Sequence, residues 1–202
     1  DKINTYYGDL TDSLNLYNIL MKVKPNEIYN FAAQSHVKVS FETPEYTSNA
    51  DGLGTLRLLE IIRNIDKKIK FYQASTSELF GNTPAPQNEN SSFEPRSPYA
   101  VSKLYSYWIT RNYREAYNLF AVNGVLFNHE GPRRGETFIS RKVTLWCAKW
   151  KLNNDLPALE IGNINSIRDW TDARDMVKAI YLMMHHKIPD DFVVGTSVGR
   201  SV

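Results

Sequence analysis

The chain has 202 residues, 42% hydrophobic and 23% charged, enough apolar material for a substantial core in one domain or one and part of another. Its 24 basic and 22 acidic residues are interspersed and leave a net charge of +2, which argues against nucleic acid or an anionic membrane as the main partner. No apolar run is long enough to span a bilayer and the first residues carry no signal-peptide pattern, so a cytoplasmic globular chain is expected.

In chain order, Tyr6 to Leu10 reads as the end of an inner strand, and a helix is predicted over 12–24, with Asp12 and Ser13 as candidate caps. The run EIYNFAA (27–33) reads as a strand, followed by a helix over 49–65 and a second strand, KFYQAST (70–76). Ser97 and Pro98 suit the N-cap and first turn of a helix over 98–117. A strand over 120–128, a helix over 138–152, a helix over 171–186 opened by Asp172, and a short strand at 192–195 complete the set. The single cysteine, Cys147, falls in a helix and reads as a small packing residue, since one cysteine forms no internal disulfide. Strands separated by helices of this length imply parallel crossovers, so the fold class is α/β. In such sheets ligands sit at the carboxyl ends of strands, which is where chemistry should be sought.

Tyr99 and Lys103 lie four residues apart at the start of a helix, about 40° apart around its axis, and so share a face. A phenol ordinarily titrates near pH 10. An adjacent ammonium stabilises the phenolate and makes the tyrosine a usable proton acceptor at neutral pH. Taken alone, the pair is more often an aromatic packing residue with a solvated lysine one turn later. Directly after the strand KFYQA stands Ser75-Thr76-Ser77-Glu78, with hydroxyls to hold a substrate oxygen and a carboxylate to move a proton. The competing reading is a strand-to-loop transition closed by local backbone hydrogen bonds.

Together, Ser-Thr-Ser-Glu-Leu-Phe-Gly at 75–81 and Ser-Pro-Tyr-Ala-Val-Ser-Lys at 97–103 resemble the extended short-chain dehydrogenase/reductase family. Within it, Phe31-Ala-Ala-Gln-Ser-His-Val37, Phe127-Asn-His-Glu-Gly-Pro-Arg-Arg134 and Arg168-Asp-Trp170 resemble the GDP-mannose 4,6-dehydratases, in the same order from about Gly8 to Val202. The related dTDP-glucose dehydratases place an Asp before the Glu, where this chain has Ser77. The resemblance implies a doubly wound parallel, Rossmann-like sheet over 1–130. It also implies part of a smaller substrate-binding lobe over 131–202, from which about 171–196 partly returns to the main domain. The implied reaction takes GDP-mannose to a GDP-4-keto-6-deoxy sugar with NADP regenerated in each cycle. Thr76, Glu78, Tyr99 and Lys103 would be catalytic. Asp9, Leu10, Phe31, Ala32, Ala33, Ser35, Tyr46, Tyr99, Lys103, His129 and Arg134 would meet the cofactor, and Ser35, Asn128, Lys142 and Arg168 the nucleotide-sugar. No metal is implied.

The family's glycine-rich turn would lie before Asp1, beside a strand next to 27–33, and later substrate-binding residues would lie beyond Val202. The expectation is an inactive, poorly stable segment when made alone, with exposed apolar faces and strand edges. NADP therefore rests on the family and on no residue here. The helices at 49–65 and 98–117 match those that pair across subunits, implying a homodimer or homotetramer. Two other functions stay open: another nucleotide-sugar enzyme of this scaffold, such as an epimerase or dTDP-glucose dehydratase, and an inactive nucleotide-sugar-binding module.

Overall fold

A computed structural model describes residues 3–202. They form two compact units, one running to Leu126 and taking in Ile180–Val193, the other comprising Phe127–Ala179 and Val194–Val202. Among the described residues the strands are β1 (Glu27–Asn30), β2 (Lys70–Ala74), β3 (Ala121–Leu126), β4 (Asn128–Glu130), β5 (Ile167–Asp172), β6 (Asp191–Val194) and β7 (Gly199–Ser201). The α-helices are α1 (Ser13–Val23), α2 (Val37–Glu42), α3 (Pro44–Thr47), α4 (Gly54–Ile65), α5 (Pro98–Tyr117), α6 (Ile139–Leu152) and α7 (Ala173–Met184).

The first unit is built on a sheet of order β1-β2-β3-β6. β1 and β2 pair in parallel with Glu27 opposite Lys70, and β2 and β3 pair in parallel with Phe71 opposite Ala121. Every residue of β3 is buried, as expected for a parallel sheet covered on both faces. Leu58, Leu59, Ile61 and Ile62 of α4 repeat at helical spacing and pack with Phe71, Leu119, Ala121, Leu20 of α1 and Tyr113 of α5. Each such side chain contributes about 1.5–3 kcal/mol when fully buried. β6 is tied in by Asp191, whose carboxylate receives both Arg114 Nη groups at 2.9 and 2.8 Å, Asn123 Nδ2 at 2.8 Å and the Tyr107 hydroxyl at 3.0 Å. Gly124 gives room to Tyr72 across the sheet, since a Cβ there would stand 2.3 Å from the Tyr72 hydroxyl.

The second unit holds a three-stranded sheet of order β4-β5-β7, with β4 parallel and β7 antiparallel to β5. α6 buries none of its residues, and Trp146 and Trp150 stack on it at 6.2 Å. Cys147 is exposed on that helix and is not the packing residue expected.

The α/β class and the parallel crossovers are as the sequence implied, while several boundaries moved. The segment 6–10 forms no strand, and Asp9 instead starts a turn. β1 ends at Asn30, three residues early, and beyond it the Gln34 N–H is taken by Asp51 Oδ1 at 2.7 Å. The helix read over 49–65 opens as a π-helical turn, Ser48–Leu53, before α4. The strand read over 120–128 is two strands of different sheets. α2, α3, β5 and β7 carry too few periodic residues to announce themselves.

Candidate active site

The site in the first unit starts from a helix cap. Ser97 accepts the Ala100 N–H at 3.1 Å and Pro98 fills the first turn, where its missing N–H costs nothing. Tyr99 and Lys103 are thereby fixed on one face, 9% and 3% exposed. The Lys103 Nζ lies 6.0 Å from the centre of the Tyr99 ring and donates to the Ala74 carbonyl at 3.1 Å. That bond ties the helix to the last residue of β2. The solvated-lysine reading of the pair is thus excluded.

Burial holds the Lys103 amine below its ordinary value, against the opposing pull of Asp51. Asp51, in the π-helical turn, is only 1% exposed. Burial pushes its carboxyl up to about 6, while the Lys103 charge and the Gln34 N–H draw it down. Its Oδ2 is buried with no hydrogen bond among the described residues. Thr55 and Ser106 hydroxyls grip the Asp51 carbonyl at 3.0 and 2.7 Å, fixing the turn. An ionised Asp51 is the charge that keeps a buried Lys103 ammonium tenable. Sequence reasoning passed over it, although Asp51, Thr55, Leu58 and Ile62 form one stripe at helical spacing, which places the acid on the buried face.

At the exit of β2 the ladder continues for one bond, from Ser75 N–H to the Gly124 carbonyl at 2.9 Å. The Ser75 hydroxyl is buried with no hydrogen-bond partner among the described residues. Thr76 then caps a 3₁₀ turn, Ser77–Leu79, by accepting the Glu78 N–H at 3.2 Å. This is the local backbone bond that a strand-to-loop transition predicts, yet the hydroxyl keeps its own proton to donate elsewhere. Glu78 is half-buried, and among the described residues its one hydrogen bond is through its backbone N–H, leaving the carboxylate without a partner there. The turn packs against α5 and is anchored by the buried Leu79 and Phe80. Gly81 closes it at φ +52°, where a Cβ would meet the Glu94 carbonyl oxygen at 1.8 Å.

The other expected residues of this unit cluster at strand ends. Phe31 and Ala32 emerge exposed beyond β1, followed by half-buried Ala33 and exposed Ser35, so none is core packing. Phe31 still touches Tyr72, ring centres 5.6 Å apart. Tyr46 is exposed on α3. Leu10 packs partly against the core. The Asp9 carboxylate is occupied by the N–H and hydroxyl of Thr11, both at 2.8 Å, which hold it below the usual carboxylate range.

In the second unit, Asn128 and His129 lie on β4, with His129 Nδ1 donating to the Phe127 carbonyl at 2.9 Å. Arg134 pairs with Glu130 at 3.3 Å and stacks over the Phe138 ring at 3.8 Å. Lys142 donates to the Glu160 carbonyl, and Arg168 is exposed on β5 with one bond to its neighbour's carbonyl. Among the described residues no group of three His, Cys, Asp or Glu could hold a metal ion.

Comparison with known proteins places the chain itself. The model of one family, GDP-mannose 4,6 dehydratase, matches residues 1–202. A protein of Dictyostelium discoideum with that name is 55% identical over 205 residues, taking in 100% of this chain and 57% of that protein. The chain spans about half the length of the curated relatives it matches. Among solved structures, RMD from Pseudomonas aeruginosa complexed with NADPH superposes with a TM-score of 0.89 at 24% identity, over 97% of this chain and 66% of that one. The UDP-glucose 4-epimerase of Thermus thermophilus, in complex with NAD, gives 0.82 at 27% identity, over 96% and 64%.

Proposed function

This chain belongs to the GDP-mannose 4,6 dehydratase family, and from that premise we propose that it acts as a nucleotide-sugar dehydratase. The reaction takes GDP-mannose to GDP-4-keto-6-deoxymannose by transient oxidation at C4, loss of water across C5 and C6, and return of hydride to C6. One placement carries this reading: the Glu78 carboxylate, with no hydrogen bond or ion pair among the described residues, on the turn that leaves β2 and packs against the helix bearing Tyr99 and Lys103. A simple dehydrogenase needs the tyrosine–lysine pair alone, whereas elimination needs a further acid–base group.

Tyr99, beside the Lys103 ammonium, takes the proton from the sugar O4. The Thr76 hydroxyl donates to that oxygen and holds it. A ketone at C4 acidifies the C5 hydrogen, which Glu78 removes, and Glu78 passes that proton to the hydroxyl leaving C6 as water; C5 then regains a proton as hydride returns to C6. Asn128, Lys142 and Arg168 are assigned to the nucleotide-sugar, where full charge and several donors suit phosphate oxygens. A nicotinamide dinucleotide, in its NADP form, supplies the hydride acceptor and donor when bound. Exposed Ala32 and Ser35 at the carboxyl end of β1 fit it, since small side chains let a dinucleotide approach the backbone, and the orphaned Ser75 hydroxyl offers a polar contact.

Glu78→Gln tests the assignment. GDP-mannose should still bind, while dehydration falls ~10²–10⁴-fold and exchange at C5 in heavy water stops. Dehydration at the parent rate would overturn it. Product analysis separates the epimerase reading, which superpositions on epimerases such as the Thermus enzyme favour, because an epimerase loses no water.

A homodimer or homotetramer in the cytoplasm completes the proposal. Its support is the exposed Leu53, Val101, Tyr105 and Trp108 beside and along α4 and α5. Among the described residues no helix is long and apolar enough to cross a membrane. Sedimentation of Trp108→Glu against the parent reads the assembly.

A further inference from the structure

The antiparallel register of β5 and β7 sets Arg168 directly opposite Arg200. Residues so paired point to the same face of a sheet with Cβ atoms about 4.5–5.5 Å apart, and two like charges in that position repel. Neither guanidinium has an ion pair among the described residues. Among the described residues Arg168 bonds only its neighbour's carbonyl, at 2.8 Å, and both side chains are exposed.

The register is enforced from the opposite face. The Asp169 carboxylate accepts the Thr196 N–H at 2.8 Å, the Thr196 hydroxyl at 2.7 Å and the Ser197 N–H at 2.9 Å, pinning the turn that leads into β7. A slip of one residue would send Arg200 to the other face. Trp170 lies two residues beyond Arg168 on β5, and its register partner on β4 is Asn128, so Asn128 shares the face of the two arginines. Two unpaired guanidiniums held side by side, with an amide on the same face, match the oxygens of an anion bearing more than one charge.

We propose that Arg200 forms, with Arg168, a two-arginine clamp for the diphosphate of the nucleotide-sugar. This rests on the dehydratase reading for the identity of the substrate, but the clamp itself requires only a phosphate-bearing anion.

The test is calorimetric titration of the full chain with inorganic pyrophosphate, GDP and guanosine, using the parent, Arg200→Ala and Arg200→Lys. For Arg200→Ala, pyrophosphate and GDP should each bind about tenfold or more weakly, while guanosine is unaffected; Arg200→Lys should recover part of the loss. With the repulsion gone, the ligand-free Arg200→Ala protein should melt no lower than the parent, which separates lost binding from lost folding. Parent-like pyrophosphate and GDP affinity in Arg200→Ala would overturn the clamp, even if the protein dehydrates GDP-mannose normally. Conversely, Arg200-dependent pyrophosphate binding in a protein that fails to dehydrate GDP-mannose would keep the clamp and remove the dehydratase reading.

Discussion

The two sheets of this molecule treat charge in opposite ways. In the first, every residue of β3 is buried, and the acid and base beside its neighbour β2, Asp51 and Lys103, are almost wholly removed from water. In the second, β7 is exposed along its length, α6 has no buried residue, and Arg168 and Arg200 stand in solvent with no ion pair among the described residues. The packed sheet fixes protonation by desolvation, so a residue there has its chemistry set before any ligand arrives. The open sheet leaves the guanidiniums of Arg168 and Arg200 exposed at full charge, which suits groups awaiting an incoming anion.

The contrast breaks first in stability. Phe71, 0% exposed within the core, should lose about 3–5 kcal/mol as Phe71→Ala. Leu152, 90% exposed at the end of α6, should change by no more than about 0.5 kcal/mol as Leu152→Ala. Urea denaturation of both variants checks the pair. Comparable losses would mean that α6 is covered and that its exposure does not describe the protein in solution.

How much of this was legible beforehand follows the same division. The core strands and long helices of the first unit were readable because Leu58, Ile62 and their neighbours repeat at helical spacing and the strands are short apolar runs. The placement of Thr76 and Glu78 at the exit of β2, and of Tyr99 and Lys103 in the first turns of α5, was readable because motif and strand end coincide. Asp51 was missed because an acid in a helix reads as a solvated face until its register with Leu58 is followed. Arg200 was missed because cross-strand pairing is non-local: nothing within 199–201 announces a partner thirty-odd residues earlier in the chain. Cys147 was misread because its helix lacks the buried stripe assumed for it.

A second prediction sharpens the electrostatic side. With its pKa raised from 3.8 to about 6, Asp51 favours the folded state when protonated. That contribution is fully present below pH 3.8 and is lost as pH rises through about 6. Between those values the folded protein binds more protons than the unfolded chain, so stability should fall with pH by up to about 3 kcal/mol from this group. Asp51→Asn should flatten that slope in parallel urea titrations at several pH values. The same variant leaves Lys103 without its counter-charge, so the alkaline limb of kcat should move to lower pH. An unchanged slope would place Asp51 in contact with water.

The smallest effect concerns the caps. Ser97→Ala removes the acceptor for the Ala100 N–H and should cost about 1 kcal/mol, because a buried N–H at the start of α5 is left unpaired. Asp172, whose carboxyl is held down to about 2 by the Arg174 guanidinium and N–H, caps nothing that is buried. Asp172→Ala should therefore alter stability less, since water replaces the lost acceptor. The two variants should also divide in kinetics: Tyr99 lies in the first turn that Ser97 holds, so Ser97→Ala should lower kcat more than it raises KM. Restoration of both stability and kcat by Ser97→Thr, which keeps the hydroxyl, would tie the two losses to the one hydrogen bond. If Ser97→Ala loses stability while kcat stands, the first turn of α5 is held by its packing on β2, with the Lys103 bond to Ala74 alone setting the geometry of the tyrosine.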